Sequence, residues 1–266
     1  MTNLTNHSVD GQHVLVTGAS RGIGLAISRV FLQQGARVTM TARIQNSLEL
    51  ARQSLLREHV PAAQMQFVLM DVGDEESVQS CFHEARLGFG AISILVNNAG
   101  QASSAPLLKT DLASWQQMLN VNLTGSFLCS QQALPDMLKQ GFGRIINIAS
   151  TAGLKAYPYV AAYCAAKHGL IGLTRALALE VASKGITVNA VCPGFTETDL
   201  LQNALQNIMS KTGRSEQAAR AELAAHNPQG HLILPKQVAD AVLWLALPAS
   251  AAMTGQALAV AGGEVM

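Results

Sequence analysis

Residues 13–24 read HVLVTGASRGIG and join a predicted strand to a predicted helix. The apolar run at 14–16 is typical of a buried strand, and a helical apolar period begins at residue 23. Glycine at positions 18, 22 and 24 permits a tight turn, and it lets the backbone approach a pyrophosphate at the helix amino terminus. The spacing GxxxGxG differs from the commonest dinucleotide fingerprint, GxGxxG, so an ordinary glycine-rich turn is the alternative.

Outward from this turn, short β-branched runs alternate with longer amphipathic ones along the 266 residues. The predicted strands are 13–17, 37–41, 66–70, 94–97, 144–148, 187–191 and 257–260. The predicted helices include 23–34, 48–58, 75–87, 115–139 and 161–183. Because parallel neighbours need a crossover helix, the alternation predicts a Rossmann-type α/β fold. We expect a doubly wound, seven-stranded parallel sheet in a single domain spanning residues 1–266.

Residues 199–235 interrupt this rhythm with a polar, helical insertion between the last two predicted strands. In an open parallel sheet, ligands bind outside the carboxyl ends of the strands. An insertion beside that edge would cover a bound ligand, so we expect a small helical substrate lid in this segment.

Charge and hydropathy exclude several classes of protein. The formal net charge is +1, whereas nucleic-acid binders usually carry a strongly basic face. The longest apolar run, residues 241–253, is interrupted by Pro248 and is shorter than the ~18 residues that a membrane span needs. The opening segment MTNLTNHSVDGQ is polar and lacks the apolar stretch of a signal peptide. We therefore expect a soluble, cytoplasmic protein that binds neither nucleic acid nor membrane.

The four cysteines stand at positions 81, 129, 164 and 192, without a CxxC pair and without an accompanying histidine cluster. This pattern predicts four buried thiols in a reducing compartment, and it gives no reason to expect a metal site. A zinc site or a thiol nucleophile is the alternative interpretation of the same residues.

The end of the second predicted strand indicates the preferred cofactor. An NAD-specific dinucleotide fold usually places an acid about 20 residues beyond the glycines, where it binds the ribose 2′-hydroxyl. Here Ala42 occupies that place and Arg43 follows it. A guanidinium can bind a 2′-phosphate, and Arg21 in the glycine turn could add a second positive charge. We expect NADP(H) rather than NAD(H), and a solvated Arg43 is the alternative.

Four polar residues could carry out proton chemistry. Tyr163 and Lys167 are four residues apart, so they share one face of a helix, and a nearby ammonium lowers the pKa of a phenol. Ser150 follows a predicted strand, where it could donate a hydrogen bond to a carbonyl oxygen or simply cap a turn. Asn122, within NVNLTG, is the fourth candidate, and a buried asparagine is often satisfied by backbone alone.

These motifs stand in the order and spacing of the short-chain dehydrogenase/reductase family, which the chain resembles from about residue 11 to residue 263. They are TGASRGIG (17–24), NNAG (97–100), NVN (120–122), Ser150, YxxxK (163–167) and CPG (192–194). The resemblance implies that Ser150, Tyr163, Lys167 and Asn122 form a catalytic tetrad, with Asn122 supporting a proton-relay water. It also implies a mechanism without a metal.

The resemblance further implies a cofactor site built from the glycine turn, the ends of the next strands and the segment after CPG. Its residues are Gly18, Ser20, Arg21, Gly22, Ile23, Gly24, Arg43, Asp71, Val72, Asn98, Ala99, Gly100, Tyr163, Lys167, Pro193, Gly194, Thr196 and Thr198. By the same resemblance, residues 71–72 contact adenine, residues 98–100 lie beside a ribose, and the segment 193–198 holds the nicotinamide.

The implied reaction is reversible hydride transfer between NADP(H) and a carbonyl or secondary alcohol. The segment around 150–199 is similar to bacterial 3-oxoacyl-thioester reductases and polyketide ketoreductases, which implies a 3-oxoacyl or 3-hydroxyacyl thioester of coenzyme A or a carrier protein. The lid offers apolar residues for an acyl chain and cations for phosphates. These are Leu200, Leu201, Leu205, Ile208 and Met209, followed by Lys211, Arg214 and Arg220. A lid that only closes the pocket, with solvated cations, is the alternative.

Other functions stay open on the sequence alone. They are an alcohol, diol or steroid dehydrogenase, a catalytically inactive NADP(H)-binding redox sensor, and a structural subunit of an oligomeric enzyme. We also expect a homotetramer, because related enzymes commonly pair the helices corresponding to 115–139 and 161–183 between subunits. The second of these helices is rich in alanine and glycine, which permits close helix–helix approach.

Overall fold

Seven parallel strands form one sheet with the order β3-β2-β1-β4-β5-β6-β7. The strands are β1 (His13–Val16), β2 (Arg37–Ala42), β3 (Met65–Leu69), β4 (Ile94–Asn97), β5 (Gly143–Ile148), β6 (Ile186–Pro193) and β7 (Ala257–Val260). The computed structural model describes residues 8–266. Residues 1–7, which include most of the opening segment expected to lack a targeting signal, lie outside the described part of the chain.

Helices cover both faces of the sheet. They are α1 (Gly22–Gln33), α2 (Gln45–Arg57), α3 (Glu75–Phe89), α4 (Leu112–Leu119), α5 (Gly125–Gln140), α6 (Ala161–Val181), α7 (Asp199–Thr212), α8 (Glu216–Ala224) and α9 (Pro235–Ala246). Side chains alternate between faces along a strand. Val14 and Val16 therefore pack in the core under α1, α2 and α9, whereas Leu15 packs in the core under α3, α5 and α6.

The strand order reverses next to β1. From β1 the chain proceeds through β2 to β3 on one side, and it then returns to place β4 against the other side of β1. Ligands of open α/β sheets bind outside the carboxyl ends of the strands at such a switch point. The predicted doubly wound, seven-stranded parallel sheet is thus confirmed, and it directs attention to the edge where β1, β4, β5 and β6 end.

The single helix predicted over 115–139 is wrong in detail. The structure has two helices, α4 and α5, joined by a π-helical turn at Asn120–Thr124. A π turn inserts one residue per turn into a helical register and is frequent at functional sites. Here it carries Asn122, so the local irregularity coincides with a candidate catalytic residue.

The insertion at 199–235 contains α7 and α8, as the sequence predicts, and ends where α9 begins. Its apolar side faces inward, because Leu201 and Leu205 are 4% and 1% exposed and pack with Ala219 and Leu223 of α8. The lid thus has a small core of its own. Within residues 8–266, the helices are all too short or too polar to cross a membrane.

Candidate active site

The glycine turn between β1 and α1 is built for close approach of backbone. Gly18 and Gly22 adopt φ values of +63° and +54°, which favour glycine. A Cβ on Gly24 would lie 2.3 Å from the Gly18 carbonyl oxygen and 2.4 Å from the Asn98 side-chain nitrogen. Ser20 and Ile23 complete the turn and are partly buried. The three glycines are therefore required by the shape of the turn itself.

Asn98 and Thr17 hold this turn against the end of β4. The Asn98 side-chain amide donates to the carbonyl oxygens of Thr17 and Gly18, at 2.9 and 3.0 Å. The Thr17 hydroxyl accepts hydrogen bonds from the backbone of Asn98 and Ala99, both at 2.9 Å. Sequence reasoning did not single out Thr17, although a polar residue at the end of an apolar strand was a usable signal.

The amino end of α1 is open for an anion. Within the described chain, α1 begins after Arg21 without a side-chain cap, so its first amide groups point away from the helix. Arg21 pairs with Asp199 at the start of the lid at 3.0 Å, and both side chains are more than 60% exposed. Arg43 is exposed at the end of β2, beside the nearly buried Ala42. The residues fit a dinucleotide with a phosphate at this position.

The candidate adenine site lies after β3. The Asp71 carboxylate accepts a hydrogen bond from the backbone amide of Gly73 at 2.9 Å. The backbone amide of Asp71 donates to the Ser77 hydroxyl oxygen at 3.0 Å. Val72 is 7% exposed and packs against Gly125, where a Cβ would lie 2.8 Å from the valine. Asp71 and Val72 are thus held in a tight turn next to the start of α5.

Ser150 follows β5 and caps the short helical turn Thr151–Gly153. Its hydroxyl oxygen accepts from the Ala152 backbone at 3.1 Å, so the capping role considered from the sequence is present. The same side chain lies near the Tyr163 phenol and lowers its pKa, which partly offsets the effect of burial. A hydroxyl can accept a hydrogen bond and donate another at the same time. The cap therefore fixes the position of Ser150 and leaves its proton available for a hydrogen bond to a substrate.

Tyr163 and Lys167 lie one turn apart on α6, with the Lys167 Nζ 5.6 Å from the centroid of the tyrosine ring. The expectation that Lys167 lowers the pKa of Tyr163 is wrong for the protein alone. Burial raises the pKa of Tyr163, and the nearby Ser150 side chain offsets this only in part. The phenol is protonated at neutral pH, as a free phenol would be, so it has a proton to donate, but burial makes it a weaker acid in the protein alone.

Lys167 is 4% exposed and donates to the Ile148 carbonyl oxygen at 2.8 Å. Burial lowers the pKa of Lys167 to about 8, because desolvation disfavours the charged ammonium. A Cβ on Gly100 would lie 3.7 Å from its Nζ, so the ammonium borders the backbone after β4. A buried lysine next to a gap kept open by glycine fits the ribose role that the resemblance implies.

Asn122 is fully buried and holds the loop after β4. Its side-chain nitrogen donates to the carbonyl oxygens of Gln101 and Met118, at 2.9 and 3.0 Å. Its side-chain oxygen accepts from the Gln101 backbone at 3.2 Å. The direct role of Asn122 in the structure is therefore to fix Gln101, next to Gly100 and Lys167.

The segment after β6 closes the other side of the edge. Gly194 donates to the Val260 carbonyl oxygen at 3.1 Å, which fixes the chain after Pro193 against β7. The Thr196 hydroxyl donates to the Gly194 carbonyl oxygen at 2.9 Å, and the Thr198 hydroxyl to that of Thr196 at 3.3 Å. The threonines thus stabilise their own loop, beside Gly22, where a Cβ would lie 3.2 Å from Thr198.

The cysteines are all buried and free, as the sequence predicts. Burial raises the pKa of Cys81 to about 12 and of Cys192 to about 11, so neither thiol is a ready nucleophile. Among residues 8–266, the His, Cys, Asp and Glu side chains form no group of three or more that could hold a metal ion.

Two of the three lid cations differ from expectation. Arg214 pairs with Glu222, and Arg220 pairs with Glu197 at 3.0 Å and with Glu216 at 3.1 Å. Because these guanidinium groups already face carboxylates, they are poorly placed to attract phosphates. Of the proposed acyl-chain residues, Leu201 and Leu205 lie in the lid core, whereas Leu200 is 43% exposed.

The chain is similar to known reductases in sequence and in structure. The family model for short chain dehydrogenases matches residues 12–208. The 3-oxoacyl-(acyl-carrier-protein) reductases FabG of Vibrio cholerae and Escherichia coli are each 38% identical to this chain, over 97% of it and over 99% and 98% of their own lengths. A variant of actinorhodin polyketide ketoreductase, solved with NADPH, superposes with a TM-score of 0.91 at 36% identity, covering 95% of this chain and 97% of that one.

The similarity extends over nearly the whole chain. Members of the family are oxidoreductases that act on an alcohol or keto group with a nicotinamide cofactor, and the site described above fits that chemistry. The chain therefore belongs to the short chain dehydrogenase family.

Proposed function

We propose that this enzyme uses NADPH to reduce a 3-oxoacyl thioester to the 3-hydroxyacyl thioester. The observation that carries the proposal is the meeting of Ser150, Tyr163 and Lys167 at the carboxyl edge of the sheet. A protonated phenol next to a serine hydroxyl can receive a carbonyl oxygen and deliver a proton to it.

Each of the three side chains has one task in the reduction. Ser150 donates a hydrogen bond to the carbonyl oxygen, which holds it beside the phenol and polarises it. Tyr163 gives its proton to that oxygen as the general acid. The cofactor, when bound, supplies the hydride that the carbonyl carbon receives. Lys167, buried beside Gly100, would bind the cofactor ribose, which is the role that the resemblance implies.

Asn122 contributes by position. Its side-chain amide fixes the Gln101 backbone through two hydrogen bonds, and this fixes the position of the loop after β4 relative to Lys167. A water between that backbone and Lys167 would return a proton to Tyr163, which is the relay that the resemblance implies.

Preference for NADPH is supported by two independent features. Arg43 follows Ala42 at the end of β2, where a carboxylate would repel a 2′-phosphate. The related ketoreductase structure contains NADPH. The cofactor-binding residues proposed from the sequence surround one continuous edge, from the glycine turn to the segment after β6.

The thioester substrate is supported by the relatives more than by the lid. Two relatives are named as reductases of 3-oxoacyl groups on acyl carrier protein. The lid contributes the exposed Leu200 and the exposed cation Lys211, while Arg214 and Arg220 are held in ion pairs. Groups other than Arg214 and Arg220 would therefore have to bind the phosphates of the thioester arm.

The substrate is tested by comparing efficiencies. We expect kcat/KM for acetoacetyl-coenzyme A with NADPH to exceed that for a plain cyclic ketone of similar size by about tenfold or more, which corresponds to about 1.4 kcal/mol of transition-state binding. If the cyclic ketone is the better substrate by a comparable factor, the thioester assignment fails while the reductase mechanism survives.

We also propose that the enzyme is a homotetramer. Apolar side chains are exposed on the helices that related enzymes pair between subunits: Leu112 on α4 is 78% exposed, Phe127 on α5 46%, and Leu179 on α6 83%. Exposed apolar patches often mark interfaces between proteins. Light scattering at micromolar concentration tests this, and a monomeric mass would contradict it.

A further inference from the structure

Glu264, the third residue from the end of the chain, carries a buried charge. Its side chain is only 1% exposed. It accepts a hydrogen bond from the Tyr157 hydroxyl and forms an ion pair with Lys155, whose Nζ lies 3.1 Å away. The Nδ1 atom of His226 lies 4.0 Å from the same carboxylate oxygen. Burying a carboxylate is costly unless it is paired, so these partners are what keep Glu264 inside.

The partners of Glu264 belong to separate walls of the active site. The Tyr157 hydroxyl lies 2.7 Å from the hydroxyl oxygen of Thr151, which directly follows Ser150. A Cβ on Gly194 would lie 3.0 Å from the other carboxylate oxygen, so the segment after β6 passes directly beside Glu264. His226 follows the last helix of the lid. One carboxylate thus contacts the segment after β6 and the lid directly, and it is joined to the serine turn through the Tyr157 hydroxyl.

Aromatic packing joins the same three walls. The rings of Tyr157 and Phe195 meet edge to face with their centroids 6.0 Å apart, and Phe195 directly follows Gly194. The His226 ring lies 5.9 Å from Tyr157 and 5.3 Å from Phe195. Burial and the bond to Glu264 both raise the pKa of Tyr157, which therefore remains a hydrogen-bond donor.

We propose that Glu264 is a positioning residue for carbonyl reduction, which acts through Tyr157 and Thr151 on Ser150 and through His226 on the lid. Ser150 has to hold the carbonyl oxygen within hydrogen-bonding distance of Tyr163. A small displacement of its turn therefore lowers the rate of the chemical step more than the affinity for the cofactor. The inference concerns the reduction itself and applies to any carbonyl substrate that the wild type accepts.

The test uses Glu264→Gln, which keeps the shape of the side chain and removes its charge. A matched control is Asp136→Asn, because Asp136 is also a largely buried carboxylate in an ion pair, with the Arg86 Nε at 2.9 Å, but lies on α5 away from the site. We expect Glu264→Gln to lower kcat/KM for the carbonyl about tenfold and to change the Kd of NADPH less than about twofold. Asp136→Asn should lower Tm to a similar extent and keep kcat/KM.

A double-mutant cycle tests the route through Tyr157. Tyr157→Phe keeps the ring and removes the hydroxyl that joins Glu264 to Thr151, so it should also lower kcat/KM, by about fivefold or more. If the two residues act in one chain of contacts, the double variant is no worse than the poorer single variant. Tyr157→Phe also keeps the test valid if Glu264→Gln fails to fold.

Three results would overturn the proposal. The first is an unchanged kcat/KM in Glu264→Gln and in Tyr157→Phe. The second is a loss of NADPH affinity in parallel with kcat/KM, which indicates a general structural role. The third is strict additivity of the two substitutions. All of these are measured with whichever carbonyl the wild type reduces best, so they are independent of the thioester assignment.

Discussion

The cofactor edge and the lid differ in how their side chains are held. At the edge, Thr17, Asn122 and Lys167 are at most 4% exposed, and each is bonded to backbone groups. In the lid, the ion pairs of Arg214 and Arg220 lie at the surface, where such pairs contribute little. The edge is thus fixed by buried hydrogen bonds to backbone groups, whereas the lid combines surface ion pairs with a small apolar core of its own. Under the proposed function, the first region sets the chemistry and the second contributes to the choice of substrate.

The largest effect is expected from removing the proton donor. Tyr163→Phe keeps the ring in its packing and should lower kcat about a thousandfold or more, while the Kd of NADPH changes little. If kcat is lost while the Kd of NADPH from a fluorescence titration is unchanged, the defect lies in the chemical step. Retention of most of the activity would show that the edge does not work as described.

The glycine turn should respond next most strongly. A Cβ at position 24 would collide with the Gly18 carbonyl oxygen, so Gly24→Ala should cost about 1–3 kcal/mol of stability and weaken NADPH at least about tenfold. Gly141→Ala is the control, since Gly141 has φ +64° and open space around it. It should lose about 1–2 kcal/mol and leave the Kd of NADPH unchanged. Equal Kd values of NADPH in the two variants would show that the glycine turn does not bind the cofactor.

The pKa of Lys167 predicts a pH dependence of cofactor binding. Burial lowers this pKa to about 8, so the free enzyme loses the ammonium charge as the pH rises through about 8. A cofactor that favours the charged form should bind about tenfold more weakly at pH 9 than at pH 7. Calorimetric titration over that range measures it, with Lys167→Met as a control that should lack the decline. A flat profile in the wild type would remove Lys167 from the cofactor site.

A smaller effect is expected at Arg43, which is exposed and screened by solvent. Arg43→Ala should weaken NADPH about fivefold and leave NADH unchanged, because only the 2′-phosphate distinguishes the two cofactors. Initial rates with both cofactors measure the difference. Equal loss for NADPH and NADH would mean that Arg43 stabilises the fold of the loop and does not read the phosphate.

The sequence predicts the edge well because its features are local. A glycine turn, a YxxxK pair and a serine after a strand each lie within a few residues, and together they indicate the sheet topology and the candidate residues. The π turn at Asn120–Thr124 could not be predicted, because it has no signature in composition or apolar periodicity. The raised pKa of Tyr163 was missed for a similar reason, since burial depends on the whole fold.

The cluster around Glu264 could not be predicted from the sequence. Its members Lys155, Tyr157, His226 and Glu264 are spread over more than 100 positions, and no spacing rule connects them. The one available signal was a carboxylate placed after two glycines in an apolar tail. The pairs of Arg214 with Glu222 and of Arg220 with Glu197 likewise depend on the fold, whereas the i,i+4 spacing of Glu216 and Arg220 on α8 was a usable sequence signal.

The central claim is that the cofactor edge and the lid have separate roles, the edge in chemistry and the lid in substrate choice. One ratio tests it most directly, the kcat/KM for acetoacetyl-coenzyme A divided by that for a cyclic ketone. It is measured in the wild type with NADPH and in the Ala42→Asp/Arg43→Ala variant with NADH. The variant changes only the cofactor edge, so its cofactor preference should turn toward NADH while the substrate ratio stays within about twofold. A substrate ratio that changes by an order of magnitude with the cofactor preference would contradict the account, because the cofactor edge would then also determine the substrate.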